Sequence, residues 1–186
     1  MKKIISTGVL LLACFSIFYC SNSQAVPAAK QRIIILRHGE KPDNGDNLSC
    51  QGFNRALELP AVIEKKFGIV AAIYVPTINT GKSTGTSRMY QTAMPYAIKN
   101  NLIVNSKFDV EDTKALAAYV MQKGGDALVI WEHKNIDNLA RALGVTDAPK
   151  WEGSDFDTIW VITMENGKAT LAIEKESLQP KAACAL

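Results

Sequence analysis

Two arginines and two histidines are the residues of this chain whose types and positions suggest chemistry. Arg37 and His38 directly follow a continuous apolar run, and His133, the second of the chain's two histidines, lies just beyond another. Arg88 follows a stretch rich in glycine, serine and threonine. Arginine offers forked N–H donors that match phosphate oxygens, and imidazole can attack phosphorus and carry the phosphoryl group covalently. Together the four side chains would form a pocket for a phosphate dianion.

Other kinds of chemistry have less support in the sequence. Two histidines among scattered acidic residues show no metal-ligand spacing, and no metal site is expected. The segment GKSTG at 81–85 lacks the first glycine of a Walker loop, so we interpret it as a flexible loop. The chain has no basic block and no alternation of basic and aromatic residues. We therefore expect no nucleic-acid-binding surface.

The N-terminus has the layout of a secretory signal peptide. Lys2 and Lys3 precede an uncharged run at 4–19, and a short polar stretch then ends at Ala25. We predict cleavage after Ala25 and therefore a periplasmic or secreted protein. The alternative is a membrane anchor, but the run is roughly 16 residues where about 20 are needed to span a bilayer. We expect no stable membrane insertion after cleavage, and residues 26–186 suit a single domain.

The cysteines are divided between the signal peptide and the mature chain. Cys14 and Cys20 would leave with the signal peptide, although a lipid anchor on one of them is a minor alternative. Cys50 and Cys184 remain, and a pair of cysteines in an exported chain suggests a disulfide. The alternative is that both are free thiols.

The pattern of apolar residues predicts alternating strands and helices, closed by a hairpin around Asn166-Gly167. This order argues for an α/β fold in three layers, with helices on both faces of a mostly parallel sheet. Ligands of such sheets bind beyond the carboxyl ends of the strands, where His38 and His133 would both lie. The predicted strands are 32–37, 70–76, 126–133, 156–164 and 168–178, and the predicted helices are 48–68, 87–101 (kinked or broken at Pro95), 110–123 and 134–144.

Four segments resemble, in order and spacing, the motifs of the histidine phosphatase superfamily, the phosphoglycerate mutase-like enzymes. The resemblance extends over residues 31–175 and implies the fold of that family. The segments are LRHGEKPDN at 36–44, LSCQGFNRA at 48–56, TGTSRMYQTA at 84–93 and VIWEHKNIDNLARALG at 129–144, and FDTIWVIT at 156–163 matches a late strand of the family.

The resemblance implies metal-independent phosphoryl transfer without a cofactor. His38 would be the nucleophile, and Arg37, Arg88 and His133 would bind the transferring phosphoryl group, with Asn135 beside the substrate. The acid that protonates the leaving group is not fixed by the motifs. The family's spacing favours Glu111 and leaves Asp109 and Asp112 open, whereas Glu40 and Glu132 are alternatives because each adjoins a site residue.

An exported chain of this family is expected to be a phosphatase, since a glycolytic mutase has no use for a signal peptide. We therefore expect a phosphomonoester hydrolase that acts on a phosphorylated small molecule or glycan. Two alternatives share the same scaffold. One is a non-catalytic phosphate-binding module, and the other is a phosphoprotein phosphatase that acts on phosphohistidine, whose good leaving group needs little help from an acid.

Overall fold

The computed structural model describes residues 30–78 and 86–184 of the chain. The predicted signal peptide, with Cys14 and Cys20, and the predicted loop at 81–85 lie outside these ranges. Among the helices described, none is both long and apolar enough to cross a membrane.

A six-stranded sheet forms the centre of the domain. The strand order is β3-β2-β4-β1-β5-β6. Strands β1 to β4 are parallel to one another, whereas β5 runs antiparallel to both β1 and β6. The strands are β1 (Gln31–Arg37), β2 (Ala72–Tyr74), β3 (Val104–Asn105), β4 (Ala127–Trp131), β5 (Thr158–Glu165) and β6 (Lys168–Lys175).

Four helices cover the two faces of this sheet. Successive residues of a strand point to opposite faces, so Ile34 and Leu36 of β1 pack in one core with α1 and α2, whereas Ile33 and Ile35 pack in a second core with α3 and α4. The three-layer α/β fold expected from the sequence is therefore confirmed. The helices are α1 (Cys50–Phe67), α2 (Ser87–Asn100), α3 (Thr113–Lys123) and α4 (His133–Ala142).

Local signals in the sequence account for the ends of several elements. The hydroxyl of Ser49 accepts a hydrogen bond from the backbone N–H of Gly52 at 3.1 Å and so caps α1. Asn166 and Gly167 have φ values of 51° and 74°, as a two-residue turn between antiparallel strands requires. The predicted hairpin is thereby confirmed.

Some predicted boundaries differ from the structure. The strand predicted at 70–76 is limited to β2, and β3, with two residues, was not predicted at all. The helix predicted from residue 110 begins at Thr113, because residues 109–112 form a turn in which the N–H of Asp112 bonds to the carbonyl of Asp109. Pro95 lies inside an unbroken α2 rather than ending it. His133 is the first residue of α4 and not the last residue of a strand.

Cys50 and Cys184 are joined in a disulfide, with their Cα atoms 4.6 Å apart. Because Cys50 is the first residue of α1, the bond ties the C-terminal tail to the segment that follows β1.

Candidate active site

The pairing of β1 with β4 brings the two histidines to one edge of the sheet. Arg37 is level with Trp131 in this parallel pair, so the residues that follow both strands emerge at the same rim. Contact between the two segments is direct, since Nη2 of Arg37 lies 3.4 Å from Nδ1 of His133. The sequence-based expectation that His38 and His133 share a rim agrees with this placement.

His38 is held in an orientation and a protonation state that suit a nucleophile. Its side chain is 3% exposed, and Nδ1 donates to the carbonyl of Gly39 at 2.7 Å. With the proton on Nδ1, the lone pair of Nε2 is free to attack. Burial lowers the pKa of His38 to about 4, although the hydrogen bond to Gly39 acts to raise it. The positive charges of Arg37 and Arg88 add to the lowering. The imidazole is therefore neutral at physiological pH.

Arg37 is a buried cation whose hydrogen bonds leave part of its guanidinium unused. Nη1 donates to the carbonyl oxygens of Gly153 at 2.7 Å and Asp155 at 3.1 Å, and the group lies 3.7 Å from the centre of the Phe156 ring. Burial lowers the pKa of Arg37 to about 10, so it remains protonated at neutral pH. Its Nε is buried and has no partner among the described residues.

Arg88 and His133 add two more donors to this rim. Arg88, in the first turn of α2, donates from Nη1 to the carbonyl of Gly45 at 3.3 Å, and its buried Nε also finds no partner within the described part of the chain. Because Arg37 can only donate to Nδ1 of His133, the proton of the neutral His133 ring belongs on Nε2. Burial and the charge of Arg37 lower the pKa of His133. The site thus combines a neutral imidazole that could act as a nucleophile with N–H donors that suit a phosphoryl group.

Two glycines allow the segment after His38 to lie directly against α1. A Cβ atom on Gly52 would be 2.2 Å from the carbonyl oxygen of Glu40, and one on Gly39 would be 2.7 Å from the carbonyl oxygen of Gly52. Ser49 donates to the same Glu40 carbonyl through its N–H at 2.9 Å and its hydroxyl at 3.2 Å. The backbone contact therefore tolerates only glycine at both positions and fixes the loop that presents His38.

The helix that carries Arg88 is bonded to the same loop. The hydroxyl of Thr92 accepts from the N–H of Gly39 at 3.0 Å and donates to the carbonyl of Arg88 at 2.8 Å. Gln91 accepts from the N–H of Leu48 at 3.0 Å. One turn of α2 thus links the position of Arg88 to the position of the His38 loop.

Glu40 is engaged by a buried arginine instead of facing the rim. Arg55 donates to the Glu40 carboxylate from Nε at 3.0 Å and from Nη2 at 2.7 Å. The Glu40 side chain is 14% exposed and that of Arg55 is 6% exposed. A carboxylate held in this way serves as an ion-pair partner, so the structure argues against Glu40 as the proton donor.

The other candidate acids differ in where their side chains lie. Glu111 and Asp112 line a cavity of about 670 Å³ together with Asn138 and Arg141, and Asp109 is exposed in the preceding turn. Arg141 is eight residues along α4 from His133, or about 12 Å at the rise of a helix. The carbonyl of Val110, next to Glu111, accepts from Nε1 of Trp131 at 2.8 Å at the end of β4, so Glu111 stays a candidate donor.

Glu132 lies closer to the four site residues. It precedes His133, and its negative charge opposes the larger effect of burial, which lowers the pKa of both Arg37 and His133. Asn135 donates to the Glu132 carboxylate at 3.2 Å, so the structure shows Asn135 orienting this acid where the sequence suggested a substrate contact.

Sequence reasoning missed several residues that form the site. Phe156 covers the Arg37 guanidinium and lies with its ring centre 6.2 Å from that of His38, although the motif containing it was interpreted only as a strand. Arg55 and Thr92 were recognised as motif positions without a role. Throughout residues 30–78 and 86–184, no group of three or more His, Cys, Asp or Glu side chains could hold a metal ion.

A separate apolar groove of about 920 Å³ runs between α1 and α2 and is lined by residues such as Phe53, Met94 and Ile98. None of the four site residues lines this groove, so it is not part of the candidate site.

Solved structures share this arrangement of strands and helices. The protein histidine phosphatase SixA, complexed with tungstate, matches with a TM-score of 0.58 and 17% identity over 78% of this chain and 97% of that chain. The chain has the histidine phosphatase fold. The phosphoglycerate mutase of Bacillus anthracis str. Sterne shares it at a TM-score of 0.50 and 13% identity, over 78% of this chain and 93% of that chain.

A mycobacterial glucosyl-3-phosphoglycerate phosphatase, complexed with inorganic phosphate, has the histidine phosphatase fold as well. It matches with a TM-score of 0.54 and 14% identity over 77% of this chain and 95% of that chain. No protein-family model and no curated protein matches the chain. At these identities the structural matches establish the fold, and the site must be judged from its own geometry.

Replacement of Gly52 by alanine tests the contact between α1 and the His38 loop. Since the new Cβ would overlap the Glu40 backbone, we expect the loop to shift and inorganic phosphate to bind at least about tenfold more weakly, the equivalent of one lost charge-assisted hydrogen bond. Titration calorimetry would measure the affinity, with Gln51→Ala as the control in the same turn. Unchanged affinity in a folded Gly52→Ala variant would show that the close contact is not required.

NMR titration of the imidazoles tests the electrostatics of the site, because the chain has two histidines and His133→Asn would assign the signals. We expect His38 to titrate near pH 4 and His133 below its usual range. Both shifts disfavour the charged form in the folded state, so stability should be lost as the pH falls from about 6.5 towards 4. A His38 midpoint at or above 6.5 would contradict the buried neutral imidazole.

Proposed function

We propose that this chain is a phosphomonoester hydrolase that acts through a phosphohistidine intermediate on His38. The observation that carries the proposal is the state of His38: its Nδ1 is bonded to Gly39, and its buried ring is neutral. The positive charges of Arg37 and Arg88 beside His38 support it, because two cations next to a neutral imidazole favour an anionic ligand. A phosphoryl group would supply several acceptors at once.

In the first step, Nε2 of His38 attacks the phosphorus of a phosphate monoester. A P–N bond forms as the P–O bond to the alcohol breaks, and the alcohol oxygen takes a proton from an acid. Arg37, Arg88 and the Nε2–H of His133 stabilise the negative charge on the transferring group. Donors that are fixed before the reaction act strongly in a site from which water is largely excluded.

In the second step, water attacks the phosphorus of the phosphohistidine. The P–N bond breaks, inorganic phosphate leaves, and the acid of the first step accepts the proton from water as a base. His38 returns to its neutral state, with Nδ1 still bonded to Gly39. The scheme uses only side chains of this protein, and we propose that it needs neither a metal ion nor a cofactor.

We propose Glu132 as the acid of this reaction. It adjoins His133, and Asn135 holds its carboxylate. It also lies near enough to Arg37 and His133 to interact with both electrostatically. In contrast, Glu40 is bonded to Arg55, and Glu111 lines the cavity that it shares with Arg141.

We further propose that the enzyme is exported and acts on a phosphorylated small molecule or glycan. The signal-peptide pattern at residues 1–25 supports export. The disulfide between Cys50 and Cys184 does so independently, because such bonds persist in oxidising compartments.

A second candidate function is hydrolysis of phosphohistidine in proteins. It differs from the leading proposal in its leaving group, which departs with little help from an acid, so Glu132 would not be required. One solved structure with this fold is a protein histidine phosphatase. Export argues against this candidate.

Hydrolysis of p-nitrophenyl phosphate in EDTA tests the leading proposal. Turnover by residues 26–186 should persist in EDTA, and His38→Ala should lower kcat at least about a thousandfold because the covalent intermediate is lost. The exposed Lys150→Ala serves as a control for purification and folding. Inhibition by EDTA that a divalent metal reverses, or an active His38→Ala variant, would contradict the mechanism.

Glu132→Gln separates the role of the acid from that of the nucleophile. We expect kcat for an alkyl phosphate, whose leaving group needs a proton, to fall about a hundredfold. Hydrolysis of p-nitrophenyl phosphate should fall much less. Equal losses for both substrates, measured side by side, would mean that Glu132 does not donate the proton.

A further inference from the structure

We propose that the C-terminal segment Glu176–Cys184, called here the C-terminal strap, is a positioning element of the active site, with Arg55 as its link to the His38 loop. The strap contacts both of the segments that hold the site residues, and a disulfide closes it. This inference rests on the proposed function, since positioning matters only if the site binds and transfers a phosphoryl group.

The first attachment is an ion-pair network inside the protein. Arg55 donates from Nη1 to the Glu176 carboxylate at 2.5 Å, while its other nitrogens hold Glu40, two residues after His38. Arg55 and Glu176 are each 5% exposed. A buried arginine with two carboxylate partners has little freedom to move, so the strap fixes Arg55 and Arg55 fixes the turn after His38.

The second attachment fixes the segment at 153–157, on the other side of the site. The N–H of Glu176 donates to the carbonyl of Asp157 at 2.6 Å, and the N–H of Ser177 donates to the Asp157 carboxylate at 2.7 Å. Segment 153–157 supplies the carbonyls that bond to Arg37 and the Phe156 ring that covers its guanidinium. The beginning of the strap is therefore bonded to the segment that supports Arg37, the main candidate for binding phosphate.

The third attachment secures the far end of the strap on α1. The side-chain amide of Asn54, 6% exposed, donates to the carbonyls of Lys181 and Ala183, both at 2.8 Å. The disulfide from Cys184 to Cys50 follows immediately. Cys50 is next to Ser49, which bonds to the backbone of Glu40, so this end of the strap also lies beside the His38 loop.

These attachments make one segment the common support of His38 and Arg37. The two site residues reach the rim from the end of one strand, but the loops that fix them are far apart in the sequence. Ser177 has a φ of 58°, an uncommon value for a residue other than glycine, which indicates that its surroundings impose the turn at the start of the strap. Movement of the strap would be transmitted to both loops.

The charge of Glu176 connects this support to pH. Burial raises the pKa of Glu176 to about 7, helped by the carboxylates of Asp157 and Glu40 and opposed by Arg55, the cation that faces it. Near neutral pH the carboxylate is thus partly protonated, and its bond to Arg55 loses charge as the pH falls. The ionisation of Glu176 should therefore show in the pH profile of the reaction, a readout that a purely structural role would not produce.

Glu176→Gln is the variant that tests the proposal, and Glu174→Gln is its matched control. Both changes remove a carboxylate of the C-terminal region from an ion pair, but Glu174 pairs with Lys66 on the surface. For Glu176→Gln we expect kcat for p-nitrophenyl phosphate, expressed per active site from the burst, to fall about tenfold or more. The affinity for inorganic phosphate should weaken, and an ionisation near pH 7 should vanish from the pH profile. Glu174→Gln should match the wild type.

The disulfide offers a second, independent variant. We expect Cys50→Ser combined with Cys184→Ser, and the wild type after reduction, to lose kcat and phosphate affinity at a temperature at which circular dichroism shows them folded. Reoxidation should restore only the wild type. Wild-type values in both Glu176→Gln and the double serine variant would overturn the positioning role. A wild type without turnover would instead contradict the proposed function, and phosphate affinity in the variants would still decide the role of the strap.

Discussion

The buried guanidinium of Arg37 is the feature on which the rest of the site depends. A buried charge is costly unless it is paired, yet the hydrogen bonds of Arg37 go to two carbonyl oxygens and towards an imidazole rather than to a carboxylate. The nearest carboxylates act on it from a distance, and its Nε has no partner among the described residues. The site therefore holds positive charge that an anion would compensate.

This charge also determines the protonation state of His38, the proposed nucleophile. A third cation beside Arg37 and Arg88 would be repelled, so the two arginines add to the effect of burial and keep His38 neutral. Its bond to the carbonyl of Gly39 then leaves the lone pair on Nε2. Positive charge that would bind a phosphate and a neutral imidazole that would attack it are two consequences of the same burial.

Much of the fold could be predicted from the sequence because its signals are local. The continuous apolar run of β1, the Ser49 cap of α1 and the Asn166-Gly167 turn each act within a few residues. The order of strands and helices then limits the topology to a parallel arrangement that brings His38 and His133 to one rim.

The parts of the site that escaped prediction depend on contacts between distant residues. Arg55 and Glu176 are 121 residues apart, and the contact of Phe156 with Arg37 depends on a loop before β5. The proton donor stayed open for a similar reason, because the direction of an acidic side chain depends on the turn that carries it, as at 109–112. Spacing along the chain carries no information about such directions.

The measurement that tests the central claim most directly is the trapping of a phosphoryl group on His38. Residues 26–186 would be mixed with excess p-nitrophenyl phosphate and quenched in alkali, under which phosphohistidine survives, and the peptide that contains His38 would be analysed by mass spectrometry. The account predicts one phosphoryl group on His38 that appears during turnover and decays when substrate is exhausted. Turnover without this adduct, or an adduct on another residue, would contradict the mechanism.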